Sequence, residues 1–408
     1  MNAQVILLLT IAAAQVLVSP FALGQEISAE RWRDWRGKAD ERFTDSEETF
    51  KKVMQKLLEK HFDKNLTKDD LYRAATSGML EALNSEDGQW NRLYSPSEYK
   101  NLQTDLSGQV SGIGIALKFD ESSGNGIVLN VIPNTPGARA GVQKDDQILS
   151  VDGKRFKGKP FRELVDSIRG QAGLTAKLKI LREDKILALT VKREQFQFKA
   201  TDLKTIDSGT SLLTISYFNK MTPELVAEAL KQVNQSGVKK LIVDLRDNGG
   251  GGFDETIKVA ELFLAKGATI ASTRDREGKI EKFQSNGGLL AEAVKLVVLA
   301  NKGTHSGAEL LVSVLKEGRG AKVIGQATDG KWNMQTVEEL TNRFAIKYTV
   351  KTFASPLGNS FQGSGFKPDF EVPLNKEISH RELASKYDIT KRLTLDTQLK
   401  AAFEISQL

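Results

Sequence analysis

From Ser208 onward, short apolar runs alternate with amphipathic ones, and this alternation limits the fold more than any other feature of the chain. Residues 211–218, 241–245, 295–300 and 323–324 read as strands rich in Val, Ile and Leu. Between them, 223–233, 254–264 and 308–316 carry apolar residues at helical spacing. The order β-α-β-α-β-α implies a mostly parallel sheet with helices packed on it. A last amphipathic run, 393–405, is expected to dock on that body.

The rest of the chain has a different texture. Its 408 residues exceed one compact core, so two or three domains are expected. Residues 27–106 read as helical, with Phe50, Val53, Met54, Leu57 and Leu58 in one periodic set and Leu71, Ala74, Met79, Leu80 and Leu83 in another. Residues 108–197 hold short β-type runs separated by turn signals such as Gly124-Asn125-Gly126 and Asp152-Gly153. The stretch 5–23 is almost wholly apolar and ends in Ala22-Leu23-Gly24, small residues where a signal peptidase cleaves. A signal peptide of residues 1–24 and an uncleaved membrane anchor both fit. Either way the remainder is expected to be exported, to a bacterial periplasm or anchored facing it.

The formal net charge is +6, from 58 Lys+Arg against 52 Asp+Glu, with both signs mixed along the chain. No basic block with interleaved aromatics stands out, so nucleic acid is not an expected partner. The absence of cysteine excludes disulfides, zinc–thiolate sites, iron–sulfur clusters and a cysteine nucleophile. The three histidines, His61, His305 and His380, lack metal-site spacing, so no metal and no cofactor is expected.

Two segments carry binding chemistry in the β-rich stretch. Ser111-Gly112-Ile113-Gly114-Ile115 places two glycines around an apolar residue at the start of a strand. Backbone N–H groups of such a loop can face an anion, and the strand edge beside it can pair with an extended peptide. Pro136-Gly137-Ala138-Arg139-Ala140-Gly141-Val142 then leads to Asp145-Asp146-Gln147-Ile148-Leu149-Ser150-Val151-Asp152-Gly153. The ordered string resembles the PDZ family in the variety found in bacterial proteases. The resemblance implies capture of a C-terminal carboxylate at Gly112, Ile113, Gly114 and Ile115. Arg169 is a candidate link from this domain to the body of the protein; a solvated helix end is the plainer alternative.

The apolar strand 297–300 runs through Asn301-Lys302-Gly303-Thr304-His305 into Ser306 and then a helix. A serine there exposes its hydroxyl beside the positive helix end, which favours developing oxyanion charge. It needs a base. Lys331 follows Gly330 at a strand-to-loop turn, and a lysine can serve if burial lowers its pKa from about 10.4. His305 is adjacent in sequence and has no evident acidic partner, so it reads as structural or pocket-lining.

Ser306 and Lys331 in these settings resemble the C-terminal processing (tail-specific) serine peptidases. Asp244-Leu245-Arg246-Asp247-Asn248-Gly249-Gly250-Gly251, Ser355-Pro356-Leu357-Gly358 and Gly365-Phe366-Lys367-Pro368-Asp369 also resemble that family, over nearly all of residues 45–375. The resemblance implies a triad of Ser306, Lys331 and Gln335, with backbone oxyanion donors from Gly250 or Gly251 and from Gly307. It implies protein or peptide substrates with a free C-terminus. The chain departs from the family at Thr304-His305, at Trp332, which is expected to narrow the pocket or shield Lys331, and at Gly249.

The expected architecture is multidomain α/β. An N-terminal helical region (25–106) precedes an inserted PDZ domain (107–197), a β-α superhelical, crotonase- or Clp-like peptidase core (198–376) and a C-terminal helical segment (377–408). Further expectations are a homo-oligomer through the N-terminal helices and an adaptor partner. The competing readings are a catalytically impaired adaptor that binds tails, and a crotonase-like acyl-CoA enzyme. The inserted domain and the Ser/Lys pair argue against the latter.

Overall fold

The structure is a computed structural model that describes residues 4–6, 46–83, 90–159, 161–197, 199–374 and 379–407. Cleavage after Gly24 and most of the apolar leader lie outside the described residues. The chain divides into two compact units. One contains Met1–Ser19, Lys100–Met334 and Lys351–Leu408; the other contains Pro20–Tyr99 and Gln335–Val350.

In the second unit, helices α1 (Ser46–Lys60) and α2 (Lys68–Ala82) precede the short strand β2 (Arg92–Tyr94). The start of α2 is a reciprocal cap: Asp70 N–H donates to the Thr67 hydroxyl, and Thr67 N–H to the Asp70 carboxylate. β2 pairs antiparallel with residues 345–347, a strand contact that the helical reading of 27–106 did not foresee.

Helix α3 (Pro96–Leu106), whose residues from Lys100 onward belong to the larger unit, leads into the β-rich domain. There β3 (Gln109–Gly112) pairs with β9 (Glu194–Gln197). β4 (Ile115–Asp120), β5 (Asn125–Val131), β6 (Gln147–Val151), β7 (Thr175–Arg182) and β8 (Lys185–Lys192) follow in spatial order. In β7, Ala176, Leu178 and Ile180 are buried while Lys177 and Lys179 face water, the period of two that one covered face requires. Leu164 and Ile168, one helical turn apart on α5 (Phe161–Ile168), close the other side of that core. The outer edge of β4 takes the strand β1 (Gln4–Ile6) in antiparallel register, Gln4 opposite Phe119 and Ile6 opposite Leu117.

The main sheet runs β10 (Thr201–Thr205), β11 (Thr210–Ile215), β12 (Lys240–Asp244), β15 (Lys295–Ala300), β16 (Lys322–Gly325) and β19 (Phe370–Glu371). All neighbours are parallel except the edge pair β10–β11. Successive residues point to opposite faces. Leu213, Val243, Val298 and Val323 meet helices α6 (Thr222–Gln235), α7 (Phe253–Glu261) and α8 (Gly307–Arg319). Leu212, Ile242, Val297, Leu299 and Ile324 meet Leu399 and Ala402 of α11 (Thr397–Gln407). Each such side chain contributes about 1.5–3 kcal/mol by leaving water. This two-sided burial explains why the strands are continuous apolar runs. The C-terminal helices α9 (His380–Lys386) and α10 (Ile389–Leu395) precede α11. The alternation left residues 269–284 unassigned; they form the hairpin β13 (Thr269–Asp275) and β14 (Ile280–Gln284). β13 also pairs with the last residues of β18 (Ala345–Ala354).

Candidate active site

Parallel strands send their following loops to one edge of a sheet. The loops after β12, β15 and β16 therefore lie together, and they carry the glycines, Ser306 and Lys331. The turn after β15 is fixed by buried Thr304, whose hydroxyl accepts from Asn301 N–H at 3.0 Å and donates to Leu245 O at 2.9 Å. His305 N–H donates to Asn248 O at 2.9 Å. Ser306 then stands at the N-terminus of α8 with φ 54 and ψ −122. Ordinary helix caps are extended, as Ser379 (φ −72) and Asp388 (φ −64) are in this chain. A serine forced to positive φ costs about 1–3 kcal/mol, so location at a helix start does not by itself account for its conformation.

Lys331 is 7% exposed at the end of the turn that follows β16. One carboxylate ties this turn to Ser306. Glu309, fully buried on the first turn of α8, accepts from Ser306 N–H (2.9 Å), Gly330 N–H (2.8 Å) and Lys331 N–H (2.8 Å). It also accepts from the Thr328 hydroxyl (2.5 Å) and Trp332 Nε1 (3.3 Å). Burial pushes the Glu309 carboxyl up, and these donors only partly offset that. Trp332 is a core residue: it is fully buried against Phe353 and Phe361, with ring centroids 4.9 and 5.0 Å away. Sequence reading assigned no role to Glu309. The Ser-x-x-Glu spacing of a capping box was the available signal.

The glycine loop after β12 presses on the Ser306 turn. A Cβ at Gly250 would lie 3.0 Å from Ser306 Cβ, and one at Gly251 would lie 2.1 Å from Phe218 O. Gly250 N–H donates to Asn248 Oδ1 at 2.8 Å. The N–H groups of Gly251 and Gly307 have no acceptor among the described residues. Asp247, at φ 56, exchanges hydrogen bonds with Asn301: its N–H donates to Asn301 Oδ1 (2.9 Å), and Asn301 Nδ2 donates to its Oδ1 (2.8 Å). Arg381 reaches in from α9, donating to Asp247 O at 2.7 Å. Beneath the loop, fully buried Arg246 bridges Asp244 (2.7 Å) and Asp396 (2.9 Å). Burial works to raise the Asp244 carboxyl, but Arg246 outweighs it and holds it at about 2. Burial, with Arg246 next, pushes His380 down to about 4.

His305 has an acidic partner after all. Its Nδ1 lies 2.9 Å from Asp329 Oδ2, because the parallel β15 and β16 bring their following loops side by side. Gln335 is placed in the other compact unit, on β17 (Asn333–Glu339), with its Nε2 donating to Thr349 Oγ1 at 3.2 Å.

In the β-rich domain, Gly112, Ile113, Gly114 and Ile115 line a pocket of about 10 Å³ together with Ile132, Ile168, Arg169 and Phe196. Ile113 and Ile115 are 1% and 2% exposed, so they form its floor. Gly114 has φ 76, and a Cβ there would strike Thr135 at 2.2 Å. Arg169 pairs with buried Asp105 at the end of α3, and the next residue, Leu106, accepts from Lys220 N–H of the main body at 3.0 Å. Burial raises the Asp105 carboxyl, with Arg169 opposing it.

A model of Peptidase family S41 matches residues 209–372, and a PDZ domain model matches residues 111–192. A "Probable CtpA-like serine protease" of Staphylococcus aureus (strain N315) is 30% identical over 324 residues, 79% of this chain and 64% of that protein. The protein of the same description from Staphylococcus saprophyticus is 28% identical, covering 81% of this chain and 66% of its own. The chain thus spans just under two thirds of these curated relatives. The solved photosystem II D1 C-terminal processing protease superposes with a TM-score of 0.51 at 24% identity, over 84% of this chain and 92% of that one. At that identity the likeness speaks for the fold: a peptidase core with N-terminal helices and an inserted PDZ domain.

Proposed function

We propose that this chain, matched by models of Peptidase family S41 and of a PDZ domain, is a serine endopeptidase acting on polypeptides with a free C-terminus. Ser306 is the nucleophile and Lys331 the general base. The observation that carries this reading is Glu309: one buried carboxylate accepts from the backbone of both residues and so fixes the two turns against each other.

In this mechanism neutral Lys331 takes the proton from Ser306 Oγ as that oxygen attacks the scissile carbonyl. The tetrahedral oxyanion is met by the N–H groups of Gly307 and Gly251. Gly251 is preferred to Gly250, whose N–H is already committed to Asn248. Lys331 returns the proton to the leaving amine, and water then releases the acyl chain from Ser306. Gln335, four residues after Lys331, is assigned to orient the lysine. Since the base must be neutral, kcat/KM should rise with pH through one ionisation.

The PDZ domain selects substrate. A tail adds antiparallel to the outer edge of β4, the direction that β1 takes, which brings its terminal carboxylate to the Gly112–Ile115 loop. The pocket there, with room for about one water molecule, suits a small apolar last side chain. Arg169, on Asp105, is the link from that pocket to the main body. Export rests on the apolar leader, and a mature N-terminus at Gln25 would support it, while retention of Met1 would oppose cleavage.

The test is cleavage of an internally quenched peptide. Ser306→Ala and Lys331→Ala should each abolish turnover in folded protein, and Gln335→Ala should weaken it less. Turnover retained in either of the first two removes the assignment.

A further inference from the structure

A second ionisable pair joins the nucleophile turn to the lysine turn, and the proposed reaction leaves it unused. His305 immediately precedes Ser306, and Asp329 lies two residues before Lys331. His305 Nδ1 and Asp329 Oδ2 are 2.9 Å apart, with the two side chains 15% and 28% exposed. The backbone closes the same contact: Asp329 N–H donates to Thr304 O at 3.1 Å, and Lys302 Nζ donates to Asp329 O at 3.1 Å.

The charged groups around the pair fall into two sets. On its own turns are Lys302, 3.8 Å from Asp329 Oδ1, and Lys331. From α8 comes Glu309, which accepts from Ser306, Thr328, Gly330, Lys331 and Trp332. From the loop after β12 comes Asp247, held by Asn301 and Arg381. Asp329 is therefore the anion near Lys331 whose carboxylate is held by His305.

We propose that His305 and Asp329 are positioning residues for Lys331: the imidazole, with Nδ1 2.9 Å from the carboxylate, keeps Asp329 on the nucleophile turn, and this restraint lets the lysine shed its proton. The inference rests on the Ser306/Lys331 reading. A carboxylate beside an ammonium favours the charged form, and a lysine that acts as a base must lose that charge. Burial works to raise the Asp329 carboxyl. The neighbouring His305, then Lys302 and Lys331, outweigh it and hold the carboxyl below its ordinary value. The influence is mutual: what Lys331 does to Asp329, Asp329 does to Lys331. Asp329 opposes deprotonation of the base, and His305 moderates that opposition.

The two side chains should then act with opposite sign. In the full chain, kcat/KM for a free-ended peptide is measured against pH, with a melting curve for each variant. Asp329→Asn should move the rising limb to lower pH by about half a unit or more. His305→Ala frees the carboxylate to pair with Lys331 and should move the limb to higher pH by a similar amount. His305→Asn, whose amide can reach the same carboxylate, should keep the midpoint of the unaltered protein. A purely structural latch would shift both midpoints the same way or neither, and either result overturns the proposal. Should His305→Ala not fold, the two asparagine variants decide: an unmoved limb in Asp329→Asn, or a shifted one in His305→Asn, overturns it. Turnover surviving Ser306→Ala or Lys331→Ala would instead remove the underlying Ser/Lys reading.

Discussion

At the C-terminal edge of the parallel sheet, position is set by buried charge; around Gly112–Ile115, it is set by backbone and apolar side chains. Glu309 and Arg246 each gather several hydrogen bonds from different loops with almost no exposure to water, and half-buried Asp247 joins two more. In the β-rich domain the pocket is made by a glycine at φ 76 and by isoleucines, and the ion pair that touches it, Arg169–Asp105, points away toward α3. The difference matches the demands on each region. The proposed bond-making at Ser306 and Lys331 requires that both stay fixed to fractions of an ångström, and a charged acceptor in a dry site holds donors hard. The proposed tail capture by strand addition, in the place that β1 takes on β4, needs a strand edge and a shaped hole, which backbone supplies without charge.

This comparison can be broken by disturbing one region and reading the other. The largest effect is expected at Glu309. Glu309→Gln keeps the shape but removes the charge and one acceptor, so kcat should fall about 100-fold, as slight misplacement of catalytic groups does, while KM changes little. A KM effect of the same size would mean that Glu309 serves binding instead. Next in size is the tail. Amidating the C-terminus of a peptide substrate should lower kcat/KM about tenfold, since the tether that raises local concentration is lost, and hydrolysis of a short activated ester should be untouched. Equal rates for the acid and the amide would remove the PDZ domain from substrate choice. The smallest effect on turnover is expected at His380. Its folded value, about 4, lies below the ordinary histidine value of 6.5, so the unfolded chain binds the proton first as pH falls. Stability on this account is fully present above pH 6.5 and is lost on the way down to 4. About 2 kcal/mol should go between pH 7 and 5, and His380→Gln should flatten that part of the unfolding profile. A profile unchanged by the substitution would mean that His380 does not titrate this way.

The strand–helix alternation made the sheet legible, because strands buried on both faces must be continuous apolar runs and parallel neighbours must be joined by helices. The Ser306 turn and the PDZ string were readable for a similar reason: local backbone demands leave glycines and small residues at fixed spacings. What escaped was lateral. His305 and Asp329, or Asp247 and Arg381, are distant in sequence and meet only because parallel strands bring their loops together and the C-terminal helices return to the sheet. Trp332 was expected to narrow the pocket or shield Lys331; it is fully buried and turned onto Phe353 and Phe361, so it lines no open pocket. The hairpin at 269–284 was missed because its strands are half-exposed and polar, so neither period stands out.

The central claim is that Ser306 is activated by Lys331. It is tested most directly by treating the purified protein with a peptidyl diphenyl phosphonate and locating the adduct by mass spectrometry across a pH series. The account predicts one adduct, on Ser306, whose rate rises with pH and which is lost in Lys331→Ala. An adduct on another residue, or equal labelling of Ser306 without Lys331, would contradict it.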